Sequence, residues 1–405
     1  MSSGSSSIPR MIKKKHFRVK HQKVKLFRAN EPILSVFMWG INHTINELSH
    51  VNIPVMLLPD DFRAYSKIKV DNHLFNKENM PSHFKVKEYC PLVFRNLRER
   101  FGVDDVDYRE SLTRSQPVQI DSSGKSGAQF YRSYDKYFIL KSLTSEEIER
   151  MHAFLKHYHP YVVERHGSTL LPQYLGMYRL TVDGVQYYFV VMRNVFSSHL
   201  TIHRKFDLKG STVDREASDK ELEKHLPTLK DNDFIKQKIR ICIGEDAKQK
   251  LFEILNADIN FLTKLHLMDY SLLVGIHDMA QAEEEALLNE NANREAAAGR
   301  ETSESEECES GERCAYNTPP DSPRCLGQYN DIIQDIDIYA LHSIEERREI
   351  YFIAIIDVLT QYGVKKQAAK AAKTVKYGSN VDGISTCDPD QYGKRFIEFI
   401  DKAIE

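Results

Sequence analysis

The sequence predicts an α+β fold in which antiparallel sheets are flanked by helices. Tyr174–Val182 and Val185–Arg193 are strand-like segments on either side of Asp183-Gly184, a dipeptide typical of tight hairpin turns. Glu245–Leu267 carries its apolar residues at helical intervals. A chain of 405 residues, 41% of them apolar, can bury a sizeable core in one large domain or in two lobes.

Further elements are predicted in chain order. The segment 31–50 has apolar residues at helical spacing, which fit either core packing or a dimer contact; they are Ile33, Phe37, Ile41, Ile45 and Leu48. Ser145-Glu146-Glu147-Ile148 is typical of a helix start and indicates a helix near 145–159. Tyr187–Met192, in the second hairpin strand, is almost wholly apolar and is predicted to be buried. Asp390–Ile404 is expected to form the last helix.

The segment Asp207–Arg215 concentrates charged residues around a Gly-Ser turn. Gly210 would let backbone N–H groups approach an anion closely, and Lys209 adds positive charge. Arg215 can hold a phosphate by two parallel hydrogen bonds, and Asp207 could bind a metal or orient a hydroxyl. These are the groups that a phosphoryl-transfer site needs, although the segment alone also fits a charged surface turn.

Two more aspartates adjoin apolar strands. Asp269 stands just before the apolar run Leu272–Ile276, and Asp357 follows the apolar strand Tyr351–Ile356. A carboxylate beside a buried strand is costly unless it is paired or metal-bound. The two fit one positioning or base carboxylate and one Mg²⁺ carboxylate, while either alone could be a strand-terminal Asp in a turn.

A Gly/Ser-rich turn at 122–130 precedes a lysine that lies within a strand. Gln129–Tyr134 and Tyr137–Leu143 alternate in polarity and are predicted to form a β-hairpin around this turn, with Lys141 in the second strand. A loop followed by a strand lysine is how kinases cover and clamp nucleotide phosphates. The loop matches neither the Walker pattern nor G-x-G-x-x-G, so it indicates a nucleotide site only together with the neighbouring motifs.

The net charge of −2 combines two opposite regions. Residues 283–312 contain eleven Glu and two Arg, a net charge of −9, so the rest of the chain carries +7. Because this stretch and its Pro-containing continuation have few large apolar residues, 281–329 is predicted to be a disordered insert. Thr318 and Ser322 each precede Pro and are candidate phosphorylation sites, the alternative being a plain solvated tether.

Positive charge is spread over the first hundred residues. The cations are Lys13, Lys14, Lys15, Arg18, Lys20, Lys23, Lys25, Lys67, Lys69, Lys85, Lys87, Arg95 and Arg98. A flat basic face against an anionic lipid surface fits them, at about 1 kcal/mol per well-placed cation. Nucleic acid is disfavoured as a partner because neither a nucleic-acid motif nor stacking aromatics accompany the charge.

Compartment signals favour the inside of the cell. No apolar run approaches the ~20 residues of a membrane span, and the first residues lack a secretory apolar core. The six Cys have no metal-ligand spacing, which indicates reduced thiols in a cytosolic or nuclear compartment.

Taken in this order, the segments resemble the phosphatidylinositol phosphate kinase family over roughly residues 15–280 and 330–405. The longer strings Pro54–Phe62, Lys67–Phe75 and Asn96–Gly102 resemble its type II subfamily, the phosphatidylinositol-5-phosphate 4-kinases. The resemblance implies a two-lobed lipid-kinase fold that is distantly similar to protein kinases. It also implies a homodimer formed through the N-terminal region, and heterodimers with related type II kinases.

The expected organisation has three parts. Residues 1–30 form a basic segment with a disordered start, 31–196 an N-terminal lobe with the dimerisation region and the nucleotide-binding hairpin, and 197–405 a C-terminal catalytic lobe. The catalytic lobe contains the acidic insert and, at 363–386, an activation loop.

The resemblance implies a nucleotide site for ATP. Lys141 would bind the phosphates, Ser126 and Gly127 would cover them, and Asp357 would hold Mg²⁺. The linker after the hairpin would contact the nucleotide through Arg193, Asn194, Val195 and Phe196, with Asn194 and Phe196 at the base. Some members also accept GTP and have Thr where this chain has Met192, so a guanine preference is not expected.

An acceptor site is implied as well. Asp269 would orient or deprotonate the inositol hydroxyl, and Asp207 would lie near it. The phosphate already on the substrate would be held by Lys209, Arg215 and Lys230.

The loop 363–386 is expected to decide which lipid is used. Its lysines alternate with alanines, which fits a short basic helix against headgroups, or else a charged exposed helix without a membrane role. In the family, 4-phosphate 5-kinases carry Glu at the position of Ala369 and type II enzymes carry Ala, so phosphatidylinositol 5-phosphate is the expected substrate. Lys370 departs from the His of most type II members, and Lys373 completes the basic face of the loop.

The expected function is transfer of the γ-phosphoryl group of ATP to the 4-hydroxyl of phosphatidylinositol 5-phosphate, giving phosphatidylinositol 4,5-bisphosphate. A low-activity phosphoinositide-binding scaffold that regulates related kinases and a phosphatidylinositol-4-phosphate 5-kinase are the alternatives. A protein kinase is disfavoured, because neither H-R-D-x-x-x-x-N nor D-F-G occurs. The protein is expected in the cytoplasm, peripherally on membranes, and also in the nucleus.

Overall fold

The computed structural model describes residues 29–71, 80–121, 127–298, 338–344, 347–362 and 388–405. The strands in these ranges are β1 (Tyr65–Asp71), β2 (His83–Tyr89), β3 (Val118–Ile120), β4 (Phe130–Arg132), β5 (Phe138–Leu143), β6 (Tyr174–Val182), β7 (Val185–Arg193), β8 (Arg204–Leu208), β9 (Thr228–Lys230), β10 (Ser271–Asp278), β11 (Ala340–His342) and β12 (Glu349–Ile356). The helices are α1 (Pro32–Ser49), α2 (Pro91–Arg100), α3 (Asp105–Thr113), α4 (Ser145–Glu164), α5 (Asp219–Leu222), α6 (Asp231–Lys236), α7 (Glu245–Lys264), α8 (Met279–Ala298) and α9 (Pro389–Ala403).

The strands form two sheets, which confirms the α+β prediction. The first is antiparallel throughout, in the order β1-β2-β6-β7-β5-β4-β3. The second has the order β11-β12-β10-β8-β9, with β8 and β9 parallel and the other pairs antiparallel. We refer to the first sheet with α1–α4 as the N-terminal lobe, and to the second with α5–α9 as the C-terminal lobe.

Helix α1 packs against β2, β6 and α3. It buries Phe37, Ile41, Ile45 and Leu48, each no more than 5% exposed, within the chain's own core. The apolar stripe predicted for 31–50 therefore serves core packing, one of the two alternatives that the spacing left open.

The hairpin of β6 and β7 is confirmed at its predicted residues. Val182 pairs with Val185, and Asp183 and Gly184 both have positive φ, as the commonest two-residue hairpin turn requires. The predicted burial of the second strand holds only in part, because Tyr187 is 37% exposed while Phe189 is buried. Apolar composition does not tell which end of a strand the rest of the protein covers.

The predicted helix starts and ends are also close to those observed. Helix α4 begins after Thr144, whose side chain accepts from the Glu147 N–H while the Glu147 carboxylate accepts from the Thr144 N–H. The helix then continues to Glu164, past the predicted 159. Helices α7 and α9 lie within a few residues of the segments predicted for them.

The Gly/Ser-rich segment is not the turn of the predicted hairpin. It joins β3 to β4, which pair with each other, whereas β4 and β5 are joined by Ser133–Tyr137. In that turn the Asp135 carboxylate accepts from the Ser133 hydroxyl at 2.6 Å and from the Tyr137 N–H at 3.3 Å. Lys136 has a φ of 67° there. The predicted pairing of these two strands is therefore confirmed, and only the placement of the Gly/Ser-rich segment at their turn was wrong.

The first part of the predicted disordered insert is helical. Helix α8 covers Met279–Ala298, and Asp278 caps it by accepting from the N–H groups of Ala280 and Gln281. Its Ala, Glu and Leu residues are strong helix formers, a preference that low apolar content does not exclude. The remainder of the insert, 299–329, with Thr318 and Ser322, lies outside the described residues.

Two residues assigned to the basic face are not on it. Arg98 is fully buried and donates to Asp105 at 2.6 Å and to the Leu175 carbonyl at 2.8 Å. Arg95 donates to the carbonyls of Leu48 and Val51. Both lie on α2, whose face toward β6 is buried. The cations of 13–25 lie outside the described residues.

The described helices include none with the length and apolar character needed to span a membrane.

Candidate active site

The second sheet brings the three predicted aspartates to one end. Strand β10 begins where β12 ends, and β8 ends beside the second residue of β10. Asp207, Asp269 and Asp357 therefore lie at or next to the same end of three neighbouring strands. Strand β9 runs parallel to β8, so Lys230 is placed at this end as well, opposite Asp207.

Asp269 and Asp357 both adopt left-handed backbone conformations, with φ of 62° and 61°. Such conformations are uncommon outside glycine, although Asp tolerates them better than most residues, and they cluster at functional sites. The backbone around Asp269 is fixed on both sides. The Met268 N–H donates to the Thr360 carbonyl at 2.9 Å, and the Tyr392 hydroxyl donates to the Tyr270 carbonyl.

Lys141 connects the two lobes at this end. It lies on β5, and its Nζ donates to Oδ1 of Asp357 at 2.9 Å. The lysine side chain is 16% exposed and the aspartate side chain 51% exposed. An ion pair that is this accessible adds little to stability, so its stronger consequence is to place a cation and a carboxylate where a ligand can reach both. The lysine predicted to clamp phosphates and the aspartate predicted to hold metal are thus in direct contact.

The Gly/Ser-rich segment ends next to Lys141. Phe130, the first residue of β4, pairs with Lys141, and the lysine Nζ lies 5.6 Å from the Phe130 ring centre. Gly127 has a φ of 69° in open surroundings, which a glycine adopts without strain. Gly127 lies three residues before Phe130, the strand partner of Lys141. Ser126 lies outside the described residues.

Arg215 is held between two carboxylates. Its Nε donates to Oδ2 of Asp231 at 2.7 Å, and its terminal nitrogen donates to Oδ1 of Asp207 at 3.0 Å. Burial opposes the charge of the guanidinium, but Asp207 and Asp231 outweigh it and hold the Arg215 pKa above its ordinary value. The predicted contact of Arg215 with a substrate phosphate stays a prediction, and it requires the guanidinium to share or exchange these partners.

The backbone turn at Gly210 does bind an anion, and the anion is Asp231. Oδ1 of this fully buried carboxylate accepts from the N–H groups of Lys209 at 2.9 Å, Gly210 at 2.7 Å and Ser211 at 3.4 Å. Gly210 has a φ of 65° and faces the backbone of α9, where a Cβ would lie 3.0 Å from the Arg395 carbonyl oxygen. The turn is thus closed by the chain itself.

Sequence reasoning missed Asp231. The available signal was its place at the start of a short helix directly after β9, which runs parallel to β8. Without the pairing of β8 with β9, nothing in the sequence links Asp231 to the Gly210 turn twenty-one residues earlier.

The predicted linker residues shape the junction of the lobes. Asn194 donates its N–H to the Tyr137 carbonyl at 2.8 Å and its amide to the Lys136 carbonyl at 2.9 Å. Arg193 donates to Gln173 and to the Phe101 carbonyl, both at 2.8 Å, and burial lowers its pKa. Their polar side-chain groups therefore hold the linker in place.

The other two predicted linker residues, Val195 and Phe196, help to line a cleft at this junction. The peptide groups of Val195 form no hydrogen bond within the described ranges. The Phe196 ring lies against Gly275 of β10, where a Cβ would stand 2.5 Å from Phe196 Cε1. A small cleft at the linker is lined by these residues together with Tyr137, Ile338 and Tyr339. No motif in the sequence marks Ile338 or Tyr339 as lining residues.

The donor set fits Mg²⁺ only in combination with a ligand. The part of the chain that the structure describes contains no cluster of three or more His, Cys, Asp or Glu side chains suited to hold a metal. Mg²⁺ commonly binds one or two carboxylates and completes its shell with phosphates and waters. A half-exposed strand-end carboxylate beside a lysine, as in Asp357, suits that arrangement.

The lipid-specificity residues Ala369, Lys370 and Lys373 lie outside the described residues. Lys209 and Lys230 are both described and half-buried, at the same end of the sheet as Asp207.

Comparison with known proteins identifies the family. A family model described as phosphatidylinositol-4-phosphate 5-kinase matches residues 111–403. Phosphatidylinositol 5-phosphate 4-kinase type-2 beta of Homo sapiens is 58% identical over 400 residues, which cover 96% of this chain and 93% of that protein. The type-2 alpha protein of Gallus gallus is 59% identical over 399 residues, which cover 96% of this chain and 95% of that protein. The family model spans well over half of the chain, and these relatives match it along nearly its full length. The chain therefore belongs to the phosphatidylinositol phosphate kinase family, as its motifs predicted.

Proposed function

We propose that this protein transfers the γ-phosphoryl group of ATP to the 4-hydroxyl of phosphatidylinositol 5-phosphate, giving phosphatidylinositol 4,5-bisphosphate. The observation that carries the proposal is the contact of Lys141 with Asp357 across the two lobes, at the sheet end that also holds Asp269 and Asp207. Members of this family are kinases, for which ATP is the phosphoryl donor.

Phosphoryl transfer depends mainly on positioning and on charge stabilisation, and these residues supply both. Lys141 binds the nucleotide phosphates, and the Gly127 turn lies over them. Asp357 would hold Mg²⁺, and the ion would supply positive charge to offset that of the phosphates. Asp269 orients the acceptor hydroxyl and accepts its proton, and Asp207 lies next to it with Arg215 fixing its carboxylate.

The choice of the 4-hydroxyl rests on similarity to named relatives. The family model carries the name of a 4-phosphate 5-kinase, whereas the relatives with 58–59% identity are named 5-phosphate 4-kinases. A family model covers several activities, while identity at this level along nearly the whole chain favours the activity of the relatives. Ala369 in the activation loop supports the same choice.

We also propose that one face of the first sheet docks on anionic membranes. Lys67 pairs with Lys87, and Lys69 with Lys85, so four lysines lie on one face of β1 and β2. Arg179 of β6 pairs with Lys87 on the same face, and burial, Arg179 and Lys67 together lower the Lys87 pKa. Like charges placed directly opposite each other destabilise a sheet, so a binding role for this face is a physical reason to keep them.

The proposal includes assembly and location. The protein is a homodimer through its N-terminal lobe, able to pair with related type II kinases, and it acts in the cytoplasm on membrane surfaces and in the nucleus. Sedimentation of the purified protein tests the dimer, and imaging of the tagged full chain tests the location.

The activity test is a radiolabelled-ATP assay on vesicles that contain phosphatidylinositol 5-phosphate or phosphatidylinositol 4-phosphate. Asp357→Ala is the inactive variant, and Asp183→Ala is its matched control, because Asp183 is also a left-handed Asp but lies in the turn at the far end of the β6–β7 hairpin. We expect label on the 5-phosphate lipid, lost in Asp357→Ala and retained in Asp183→Ala. Label mainly on the 4-phosphate lipid would replace the proposal with the 5-kinase activity, and no label despite vesicle binding would favour a scaffold.

The membrane test uses the double variant Lys67→Glu/Lys69→Glu on anionic vesicles. At about 1 kcal/mol for each cation near the surface, reversing two charges should lower vesicle affinity by well over tenfold. Lys264→Glu, which changes an exposed lysine on α7, is the control. Equal losses in both variants would refute a role for this particular face.

A further inference from the structure

Asp258 is a fully buried carboxylate in the middle of α7. Burying a carboxylate is costly unless it is well hydrogen-bonded. Asp258 accepts from the Tyr161 hydroxyl at 2.6 Å, from the Thr169 hydroxyl at 2.7 Å and from the Leu170 N–H at 2.6 Å. Burial raises its pKa to about 6, so at neutral pH these donors bind a charged acceptor. None of the proposed steps of phosphoryl transfer uses this group.

The three donors all come from the other lobe. Tyr161 lies near the end of α4, and Thr169 and Leu170 lie in the segment that leads from α4 into β6. Helix α7, which carries Asp258, belongs to the C-terminal lobe. The carboxylate therefore joins the lobes at a point separate from the linker 194–203.

One peptide extends this contact toward the active site. The Leu170 N–H donates to Asp258, and the Leu170 carbonyl accepts from the Ile355 N–H at 2.8 Å. Ile355 lies on β12, two residues before Asp357. A short path of hydrogen bonds and covalent bonds thus runs from Asp258 through Leu170 to the strand that presents Asp357.

Aromatic side chains enclose the contact. The Tyr161 ring stacks on the Phe261 ring of α7, with 4.2 Å between the ring centres. The Phe154 ring meets the Phe261 ring edge-on, with 6.0 Å between the ring centres. Hydrogen bonds are stronger in such an apolar setting, and a missing partner costs more there. The arrangement is well suited to fix one lobe against the other.

We propose that Asp258 is a positioning residue for phosphoryl transfer, which holds the N-terminal lobe against β12 so that Lys141 and Asp357 reach the same nucleotide. The inference rests on the proposed function. Lys141 comes from one lobe and Asp357 from the other, at 2.9 Å, so a shift between the lobes directly changes their separation. A misplacement of about 1 Å in a reacting assembly can lower the rate by about a hundredfold.

The main variant is Asp258→Asn, which keeps the volume of the side chain but replaces an accepting oxygen by a donating amide. Tyr161→Phe and Thr169→Val each remove one donor and serve if Asp258→Asn does not fold. Glu88→Gln is the matched control, because Glu88 is also a fully buried carboxylate but is bonded to Tyr178 within the N-terminal lobe. Each variant is assayed well below its own unfolding temperature, with rates expressed per folded protein.

We expect Asp258→Asn to lower kcat by about tenfold to a hundredfold and to raise the KM for ATP, since both depend on the relation of the lobes. Tyr161→Phe and Thr169→Val should show smaller losses in the same direction, and Glu88→Gln should change kcat less than about twofold. Hydrogen exchange at the Ile355 amide should accelerate in Asp258→Asn and not in Glu88→Gln. A purely structural carboxylate would lower the unfolding temperature but leave kcat and KM per folded protein unchanged.

The proposal would be overturned if a folded Asp258→Asn variant, or both donor variants, had the kcat and KM of the wild type in this assay. A wild-type protein that labels neither lipid would instead refute the proposed function. In that case ATP affinity by calorimetry and Ile355 exchange decide the inference without lipid turnover. An Asp258→Asn variant with the ATP affinity and the Ile355 exchange rate of the wild type would overturn the inference.

Discussion

The carboxylate of Glu88 should make the stability of this protein fall as the pH rises. Glu88 lies on β2 with no exposed surface, and burial raises its pKa from 4.5 to about 7 although Arg98 opposes the shift. Arg98 itself donates to Asp105, and the Glu88 carboxylate accepts from the Tyr178 hydroxyl at 3.2 Å. Between pH 4.5 and about 7 the folded chain therefore keeps a proton that the unfolded chain has released.

The size of the effect follows from the two pKa values. A raised carboxyl pKa contributes stability that is fully present below 4.5 and is lost as the pH rises through about 7. At about 1.36 kcal/mol for each pKa unit, the loss is about 3 kcal/mol, a large part of the stability of a typical domain. The Glu88→Gln variant cannot ionise, and its amide oxygen can still accept from Tyr178.

Urea unfolding followed by circular dichroism at several pH values measures the difference between the two proteins. We expect the unfolding free energy of the wild type, relative to Glu88→Gln, to fall by about 2.5 kcal/mol between about pH 5 and pH 8, the rest of the loss lying below pH 5. Groups that both proteins share, such as Asp258, cancel in this difference. Glu149→Gln, which changes an exposed carboxylate on α4, should show no such trend. A difference between wild type and Glu88→Gln that stays constant with pH would refute the reasoning.

Three further predictions concern the nucleotide site. Lys141→Ala should abolish nearly all turnover while shifting the unfolding temperature by no more than about 2 °C, because its ion pair is accessible to solvent; retained turnover would contradict its role. Gly275→Ala should destabilise the protein by about 1–3 kcal/mol and weaken ATP binding, because its methyl group would displace Phe196, and a thermal melt with an ATP titration checks both effects. The wild type, with Met192 at the base-contacting segment, should turn over GTP more slowly than ATP, and equal rates in parallel assays would contradict this.

The local features of the fold could be predicted from the sequence because their causes are local. The β6–β7 hairpin was predicted at its observed residues, since Asp183-Gly184 supplies the positive φ values that its turn needs. Helix α8 also has local causes, but the low apolar content of its segment favoured a prediction of disorder. Its composition was judged by apolar content, whereas its Ala and Glu residues and the Asp278 cap favour a helix that buries little.

The contacts that complete the site depend on residues far apart in the chain. Lys141 and Asp357 could each be assigned a role from its neighbours, but their contact depends on how the two sheets meet. Asp231 and Asp258 could not be singled out by their positions alone, because an aspartate near a helix start or on a helix is ordinary in sequence. Their importance comes from donors that only the folded chain brings to them.

The charges at the acceptor end limit how a substrate phosphate is held. Arg215 lies between Asp207 and Asp231, so the three side chains together carry a net negative charge. A phosphate monoester carries about −1.5 to −2 at neutral pH and gains little from such a group as a whole. Attraction must then come from cations outside it, and Lys209 and Lys230 are placed at the same end of the sheet. Arg215 fixes the Asp207 carboxylate by a hydrogen bond of 3.0 Å, and we expect Lys209 and Lys230 to supply the charge that draws the phosphate in.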